Sequence, residues 1–282
     1  MSAFQGIWVP VVTPFQDGAI DFISLHRLVS HLLDKHVAGI MVCTTTGEAA
    51  SLSRQEQLAM LDAMLQWVPT NRVVMGLAGY NQIELLHFQR EILQRPVAGL
   101  LVPAPSYIRP SQAGLEAFFR TVADASSAPI ILYDIPYRTG STFEQATLLN
   151  IVAHERIVAI KDCGGNLGNT LALLASGNVT VLCGEDIQIF NALCLGATGA
   201  IAASAHVHTE RFVALWQQVR DNQLSEARET FFQLLPLINT LFMEPNPAPV
   251  KAALALQGLI SSELRAPMQR ASDAVVTRLT QL

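Results

Sequence analysis

One lysine of this chain stands at a position that suggests chemistry. Lys161 closes the apolar run of residues 157–160, and it is one of only three lysines among 282 residues. A side chain at the end of a buried run is costly to place as an ammonium group, whether it points into the fold or across a packed layer. Desolvation favours the neutral amine, which is the form that attacks a carbonyl carbon to give a Schiff base. The alternative is a buried lysine paired with a carboxylate such as Asp162 or Asp186.

Polar side chains also follow other apolar runs. Tyr133 ends the run that begins at residue 129, and its phenol is suited to moving protons during carbinolamine formation and dehydration. Thr45, Thr46 and Gly47 follow an earlier run, and they offer hydroxyl groups and a close backbone approach to an anion. Arg138 lies in a loop where its guanidinium is placed to bind a carboxylate in a bidentate manner. Each has an ordinary alternative: a strand tyrosine, a helix cap and a surface ion pair, respectively.

Two other motifs are weaker evidence for a functional site. His206 and His208 are two candidate metal ligands, but without a clear third ligand they are weak evidence for a metal site. The glycine-rich segment 164–168 lacks the spacing of a dinucleotide-binding loop and follows a late strand, so we interpret it as an active-site loop. We expect no metal and no diffusible cofactor.

Composition excludes several classes of function. The formal net charge is −5 and no basic run is present, which argues against a nucleic-acid partner. The first residues do not form a signal peptide, and no uninterrupted apolar segment is long enough to span a membrane, so we expect a cytoplasmic protein. The four cysteines have no metal-binding spacing. We interpret Cys43, Cys183 and Cys194 as strand-end or core thiols, and Cys163 as the one near the proposed chemistry.

The elements that must position these side chains alternate in type. Short apolar, β-branched runs are separated by amphipathic segments, which is typical of βα units around a parallel sheet. The runs lie near residues 7–12, 38–43, 72–77, 98–102, 129–133, 156–161, 179–183 and 199–203. Eight such units predict a closed (β/α)8 barrel of the TIM type, with an open doubly wound sheet as the alternative. In a barrel of this kind, the residues after the strands meet at one face.

The amphipathic segments predict helices both within and after the barrel. Within it they are expected near residues 25–35, 55–67, 83–93 and 114–125, and Ser53 followed by Glu56 predicts a capping box before the second of them. After the eighth run only helices are predicted, near residues 209–221, 223–242, 247–257 and 267–281. The first of these completes the eighth unit, and three prolines at 245, 247 and 249 interrupt the later ones. We therefore expect a catalytic barrel at 1–222 and a C-terminal helical extension at 223–282.

Several ordered motifs resemble those of a known family. They are Val12-Thr13-Pro14-Phe15, Thr45-Thr46-Gly47-Glu48, Tyr107 before Arg109-Pro110-Ser111, Leu132-Tyr133 with Pro136 and Arg138-Thr139-Gly140, and Ile160-Lys161. Over nearly its whole length the sequence resembles the dihydrodipicolinate synthase and N-acetylneuraminate lyase family of class I aldolases. The loop that carries Arg138 and the segment 244–251 resemble the dihydrodipicolinate synthase branch.

This resemblance implies a reaction and a role for each residue. Lys161 would form an imine with pyruvate, while Thr45, Tyr133 and Tyr107 relay protons. Thr46 would bind the pyruvate carboxylate, and Arg138 that of L-aspartate-4-semialdehyde. The product would be 4-hydroxy-tetrahydrodipicolinate, a precursor of diaminopimelate and lysine.

The resemblance further implies an assembly. We expect a homotetramer, a dimer of dimers in which Tyr107 reaches into the neighbouring subunit's site. We also expect Gly47 and Ile201 to contact substrate.

Some positions depart from the family pattern, and they bear on the second substrate. They are Thr44, Ser106, Ile108, Asp134, Tyr137 and His206. The alternative functions are a lyase acting on a sialic acid or a 2-keto-3-deoxy sugar acid, against which Arg138 argues, and a non-catalytic binding or regulatory homologue. In branch members that lysine inhibits, histidine or a similar polar residue stands where Arg54 and Gln57 lie here, so we predict weak or absent inhibition by lysine.

Overall fold

A closed barrel of eight parallel strands forms the centre of the molecule. The structure is a computed structural model that describes residues 4–282. Each strand pairs in parallel with its neighbours in the chain, and the last pairs with the first. The strands are β1 (Gly6–Pro10), β2 (Gly39–Val42), β3 (Val73–Gly76), β4 (Gly99–Pro103), β5 (Ile130–Asp134), β6 (Ile157–Asp162), β7 (Thr180–Cys183) and β8 (Gly199–Ile201). Every predicted run overlaps one strand. The alternative of an open sheet is wrong because β8 closes on β1.

Alternation of side chains divides the core into two parts. Successive residues of a strand point to opposite faces, so one set fills the barrel and the other packs under the helices. On β4, Leu101 lies in the inner cluster, whereas Leu100 and Val102 lie in the outer one. On β6, Ala159 faces inward and Ile160 outward. The same alternation directs the next residue, Lys161, into the barrel.

Helices cover the outside of the barrel and continue beyond it. They are α1 (Phe22–Asp34), α2 (Arg54–Trp67), α3 (Gln82–Ile92), α4 (Gln112–Asp124), α5 (Pro136–Thr139), α6 (Gln145–Val152), α7 (Leu167–Ser176), α8 (Ile189–Cys194), α9 (Thr209–Arg220), α10 (Leu224–Leu241), α11 (Ala248–Leu256) and α12 (Asp273–Leu279). The predicted capping box is confirmed: the Ser53 hydroxyl accepts from the Glu56 N–H, and the Glu56 carboxylate accepts from the Ser53 N–H. Within residues 4–282, no helix is long and apolar enough to cross a membrane.

The last predicted helix is wrong in its start. We expected it from residue 267, but α12 begins at Asp273, where the Ser272 hydroxyl accepts the N–H of Val275. The preceding segment returns to the barrel instead, since Arg265 donates hydrogen bonds to the carbonyls of Gly18 and Ser51. These tertiary contacts outweigh the local helix propensity of the segment.

One cysteine interpretation is also wrong. Cys194 ends α8 with its side chain exposed, because Ile189 and Leu193 occupy the buried face of that short helix. The thiols of Cys43, Cys163 and Cys183 are buried, as expected.

Candidate active site

Lys161 lies inside the barrel near the carboxyl ends of the strands. It is 6% exposed and stands in register with Tyr133 on the neighbouring strand. Its Nζ lies 4.4 Å from the centroid of the Tyr133 ring. None of the ion pairs formed within residues 4–282 includes Lys161. The alternative of a lysine paired with Asp162 or Asp186 is therefore not what the structure contains.

A glycine on the next strand makes room for this lysine. Gly184 directly follows β7, and a Cβ atom built there would lie 2.3 Å from Cys163 Sγ and 2.8 Å from Lys161 Cγ. Any larger residue at this position would displace the lysine side chain. Sequence reasoning missed Gly184, although a glycine directly after the seventh run was a visible signal.

Tyr133 connects the lysine to a hydroxyl group. Its side chain is buried and forms a hydrogen bond with the side chain of Thr45. Burial raises the pKa of Tyr133 well above its usual value, and the charge of Arg138 only partly opposes this. The phenol is therefore held protonated. Because Lys161 lies against Tyr133 and Tyr133 is hydrogen-bonded to Thr45, the amine is connected to two hydroxyl groups in that order.

The segment of residues 44–48 after β2, here called the anion loop, presents several hydroxyl and backbone groups. Its Gly47 carbonyl accepts a hydrogen bond of 2.7 Å from Thr13 Oγ1, and a Cβ atom at Gly47 would lie 2.9 Å from the Val11 carbonyl. Thr46 Oγ1 accepts from Asn246 Nδ2 at 2.9 Å. Thr44 Oγ1 is buried and has no hydrogen-bond partner in the structure. The Thr44 hydroxyl is thus a donor that is available to a ligand. The sequence analysis had noted Thr44 only as a departure from the family pattern.

A cavity of about 330 Å³ lies beside these groups. Thr45, Tyr133 and Arg138 line it, and Arg138 is carried there by the short helix α5. Ile201, at the end of β8, is buried in the same inner cluster as Tyr133. Of the predicted site residues, Thr45, Tyr133 and Arg138 line this cavity. Lys161 and Ile201 do not line it but lie beside Tyr133, by strand register and in the inner cluster, and Thr46 and Gly47 follow Thr45 in the loop.

Tyr107 is not brought to this cavity. It is 89% exposed, lies in the segment between β4 and α4, and adopts a φ of 73°. It is not among the side chains that line the cavity within the described part of the chain. Its predicted proton-relay role requires a site other than that of its own subunit.

Three carboxyl groups lie at or near the ends of β5, β6 and β7, and the sequence analysis considered two of them, Asp162 and Asp186, only as partners of Lys161. Asp134 and Asp162 are paired in register on β5 and β6, directly after Tyr133 and Lys161. Burial, with the charge of Asp162 adding to it, raises the pKa of Asp134 to about 7. Burial likewise raises the pKa of Asp186 to about 6, although its Oδ1 accepts the Ser204 N–H at 2.6 Å. Asp134 and Asp162 are the last residues of β5 and β6, and Asp186 lies three residues after β7.

His206 is engaged by the backbone. Its Nε2 accepts the N–H of Val12 at 3.2 Å, and its Nδ1 lies 2.8 Å from the Ala203 carbonyl. Burial lowers the pKa of His206 to about 4, so the ring is neutral and fixes β1 against the end of β8. Across residues 4–282, no cluster of three or more His, Cys, Asp or Glu side chains is arranged to hold a metal ion.

Comparison with known proteins shows the family of this chain. The model of the Dihydrodipicolinate synthetase family matches residues 3–282. The chain belongs to this family. The 4-hydroxy-tetrahydrodipicolinate synthase 2 of Clostridium acetobutylicum is 35% identical over 281 residues, which cover 98% of each protein.

Solved structures of the family have the same fold. The 4-hydroxy-tetrahydrodipicolinate synthase of Methylacidiphilum fumariolicum superposes with a TM-score of 0.95 at 32% identity, covering 99% of this chain and 94% of that one. The chloride-inhibited dihydrodipicolinate synthase of Acinetobacter baumannii, solved in complex with pyruvate, superposes with a TM-score of 0.92 at 28% identity, covering 98% and 97% of the two chains.

Proposed function

We propose that this member of the dihydrodipicolinate synthetase family is a class I aldolase that condenses pyruvate with L-aspartate-4-semialdehyde to 4-hydroxy-tetrahydrodipicolinate. The observation that carries the proposal is Lys161, which is buried without a carboxylate partner against the protonated Tyr133. The named relatives and the pyruvate complex of the Acinetobacter baumannii protein support the same substrate.

The first half of the reaction builds a nucleophile from pyruvate. The Lys161 amine adds to the keto carbon, and the carbinolamine loses water to give an imine. Tyr133 donates the proton that leaves with the hydroxyl group, and Thr45 exchanges protons with Tyr133 along their hydrogen bond. Loss of a proton from the methyl group then gives an enamine, whose carbon attacks the aldehyde.

The second half releases the enzyme. The amino group of the semialdehyde portion attacks the imine carbon, a ring closes, and Lys161 leaves as a free amine. Thr46 and Gly47 hold the pyruvate carboxylate, and Ile201 contacts the pyruvate side of the cavity. Arg138 binds the carboxylate of the semialdehyde, and this argues against a sugar-acid substrate, which presents hydroxyl groups there.

The proposal extends to the organisation of the protein. Residues 1–222 form the catalytic barrel and 223–282 the helical extension. The protein acts in the cytoplasm as a homotetramer, a dimer of dimers in which the exposed Tyr107 completes the proton relay of the neighbouring subunit. Its partners are small-molecule substrates and copies of itself, without nucleic acid or membrane.

Borohydride trapping tests this function. The wild-type protein is incubated with pyruvate, reduced, digested and mapped by mass spectrometry, and then assayed with candidate aldehydes. We expect the adduct on the peptide that contains Lys161, no adduct in Lys161→Ala, and a normal adduct in the control Lys35→Ala, whose lysine is on the surface. Absence of an adduct on the Lys161 peptide would overturn the proposal. An adduct without turnover of aspartate semialdehyde would instead indicate a different aldehyde.

A further inference from the structure

The C-terminal extension contacts the anion loop at two residues, Thr46 and Glu48. Asn246, in the turn before α11, donates its amide N–H to Thr46 Oγ1 at 2.9 Å. A threonine hydroxyl has one hydrogen to donate, and here its oxygen already accepts. The hydroxyl hydrogen of Thr46 is therefore free to point to a ligand. Asn246 thus sets the direction of a donor that the proposed function assigns to the pyruvate carboxylate.

The second contact is a buried ion pair. Lys251 Nζ on α11 lies 2.5 Å from Glu48 Oε1, and the two side chains are 0% and 2% exposed. Glu48 ends the anion loop with a φ of 55°, and its other oxygen accepts the Arg265 N–H at 3.2 Å. The Lys251 ammonium also donates to the Glu263 carbonyl at 2.8 Å and lies 4.3 Å from the centroid of the Phe15 ring. The end of the loop is therefore fixed by groups of the extension.

The charge of this pair matters for an anion-binding loop. A buried carboxylate that loses its cationic partner becomes an uncompensated negative charge in a region of low dielectric. Glu48 without Lys251 would both repel an incoming carboxylate and free the end of the loop that binds it. An ion pair that served only to attach α11 to the barrel would have no such effect on anion affinity.

We propose that Asn246 and Lys251 are positioning residues for the keto-acid carboxylate, acting through Thr46 and Glu48, so that the helical extension is part of the substrate-binding site. This inference rests on the proposed function, because it takes the anion loop to bind the carboxylate of pyruvate.

The Asn246 contact is tested by three variants. In Asn246→Ala we expect the KM for pyruvate to rise about tenfold, as for one lost hydrogen bond of about 1.4 kcal/mol, with kcat at saturating pyruvate changed less than about threefold. Asn246→Asp keeps the shape but cannot donate as a carboxylate, so its KM should rise further than that of Asn246→Ala. The matched control is Glu244→Gln, in the same turn, which loosens the bond to the Ser272 N–H without touching the anion loop. Its KM should equal that of the wild type.

The contact of Lys251 with Glu48 is tested by removing the charge of one or both side chains. Lys251→Met should raise the KM for pyruvate by about tenfold or more, and the double variant Glu48→Gln/Lys251→Met should recover most of that loss because no unpaired charge remains. The neutral double variant should also have a flatter pH profile. Burial lowers the pKa of Lys251 to about 8, against the raising effect of Glu48 and Glu263, while Arg265 adds to the lowering. The affinity of the wild type for pyruvate should therefore fall above pH 8 more steeply than that of the double variant.

Two results would overturn the inference. One is a pyruvate KM within about twofold of the wild type in both Asn246 variants, and the other is an equal rise in the Glu244→Gln control. If Lys251→Met does not fold, the Asn246 variants decide. Failure of the proposed function is seen separately, because the wild-type protein itself would then give no pyruvate adduct on Lys161.

Discussion

Lys161 brings an amine into the barrel, where it lies over the ring of Tyr133. An ammonium placed 4.4 Å from a ring centroid gains roughly 1–2 kcal/mol from the ring, less than a buried ion pair would cost to break. The Lys161 amine has no ion-pair partner within residues 4–282. Asp186 acts on it only through space. A lysine locked to a carboxylate would be a poorer nucleophile, and this distinction separates the candidate site from an ordinary buried lysine.

A carboxyl pair next to the site predicts how stability depends on pH. Asp134 has its pKa raised from 3.8 to about 7 by burial and by Asp162. Between these two values the folded protein keeps a proton that the unfolded chain has released, so the free energy of unfolding falls as pH rises and levels off above about 7. Asp134→Asn does not titrate. Its stability relative to the wild type should therefore increase between pH 4 and pH 7, by roughly 2–4 kcal/mol.

Denaturant unfolding of both proteins across this pH range measures the difference. Asp186 also titrates, but it does so in both proteins, so its contribution cancels in the difference between their free energies of unfolding. A stability difference that does not change with pH would contradict the assignment of the proton to Asp134.

At the scale of elements, the ends of neighbouring strands shape the space around the lysine. A Cβ atom at Gly184 after β7 would lie 2.8 Å from Lys161 Cγ and 2.9 Å from its Cε. Because a displacement of about 1 Å of a reacting group costs about a hundredfold in rate, Gly184→Ala should slow formation of the reduced pyruvate adduct by about that factor. Single-turnover trapping measures this rate, and thermal unfolding reports whether the barrel is intact.

Adding Cys163→Ala to Gly184→Ala gives the matched comparison. It removes the closest contact of the new methyl group, at 2.3 Å, and should restore part of the rate. Adduct formation at the wild-type rate in Gly184→Ala would show that the lysine does not need this space.

A contact between helices α2 and α3 bears on the predicted lack of inhibition by lysine. Arg54 Nη2 lies 2.6 Å from Glu84 Oε2 and 3.1 Å from the Glu84 carbonyl, and its guanidinium stacks 5.6 Å from the centroid of the Phe88 ring. The guanidinium of Arg54, one of the two residues on which the prediction of weak or absent lysine inhibition rests, is thus held by Glu84 and Phe88. We expect sub-millimolar lysine to leave the steady-state rate unchanged, and inhibition in that assay would contradict this.

At the scale of the whole molecule, the exposed position of Tyr107 predicts active sites that are shared between neighbouring subunits. If its phenol completes the neighbour's relay, mixing the inactive Lys161→Ala with the impaired Tyr107→Phe should regain activity. In a mixed dimer, the subunit that keeps Lys161 would receive an intact Tyr107 from its partner. The assay is activity after unfolding and refolding the two variants together, with each refolded alone as the control. No recovery in mixtures that contain mixed dimers would place Tyr107 in its own subunit's reaction or outside the chemistry.

Much of the fold was predictable because it depends on local patterns. Eight apolar runs and the amphipathic segments between them report backbone periodicity, and the structure has a strand at every run. Ser53 and Glu56 interact over three residues, so their capping box was also predictable. Residue 267 was a poor start for the last helix, because contacts of Arg265 with distant carbonyls decide the path there.

The sequence by itself predicted the barrel, the face on which chemistry should lie, and Lys161 as the candidate nucleophile from residue type and position along a strand, with an open sheet and an ion-paired lysine as the alternatives. Only the tertiary structure decided what surrounds that lysine. The pairing of Asn246 with Thr46 and of Lys251 with Glu48 joins segments about 200 residues apart. The space at Gly184 and the proximity of Asp134 to Asp162 depend on strand register in the closed barrel. These contacts join residues that lie far apart in the chain, so they form only when the whole barrel is packed.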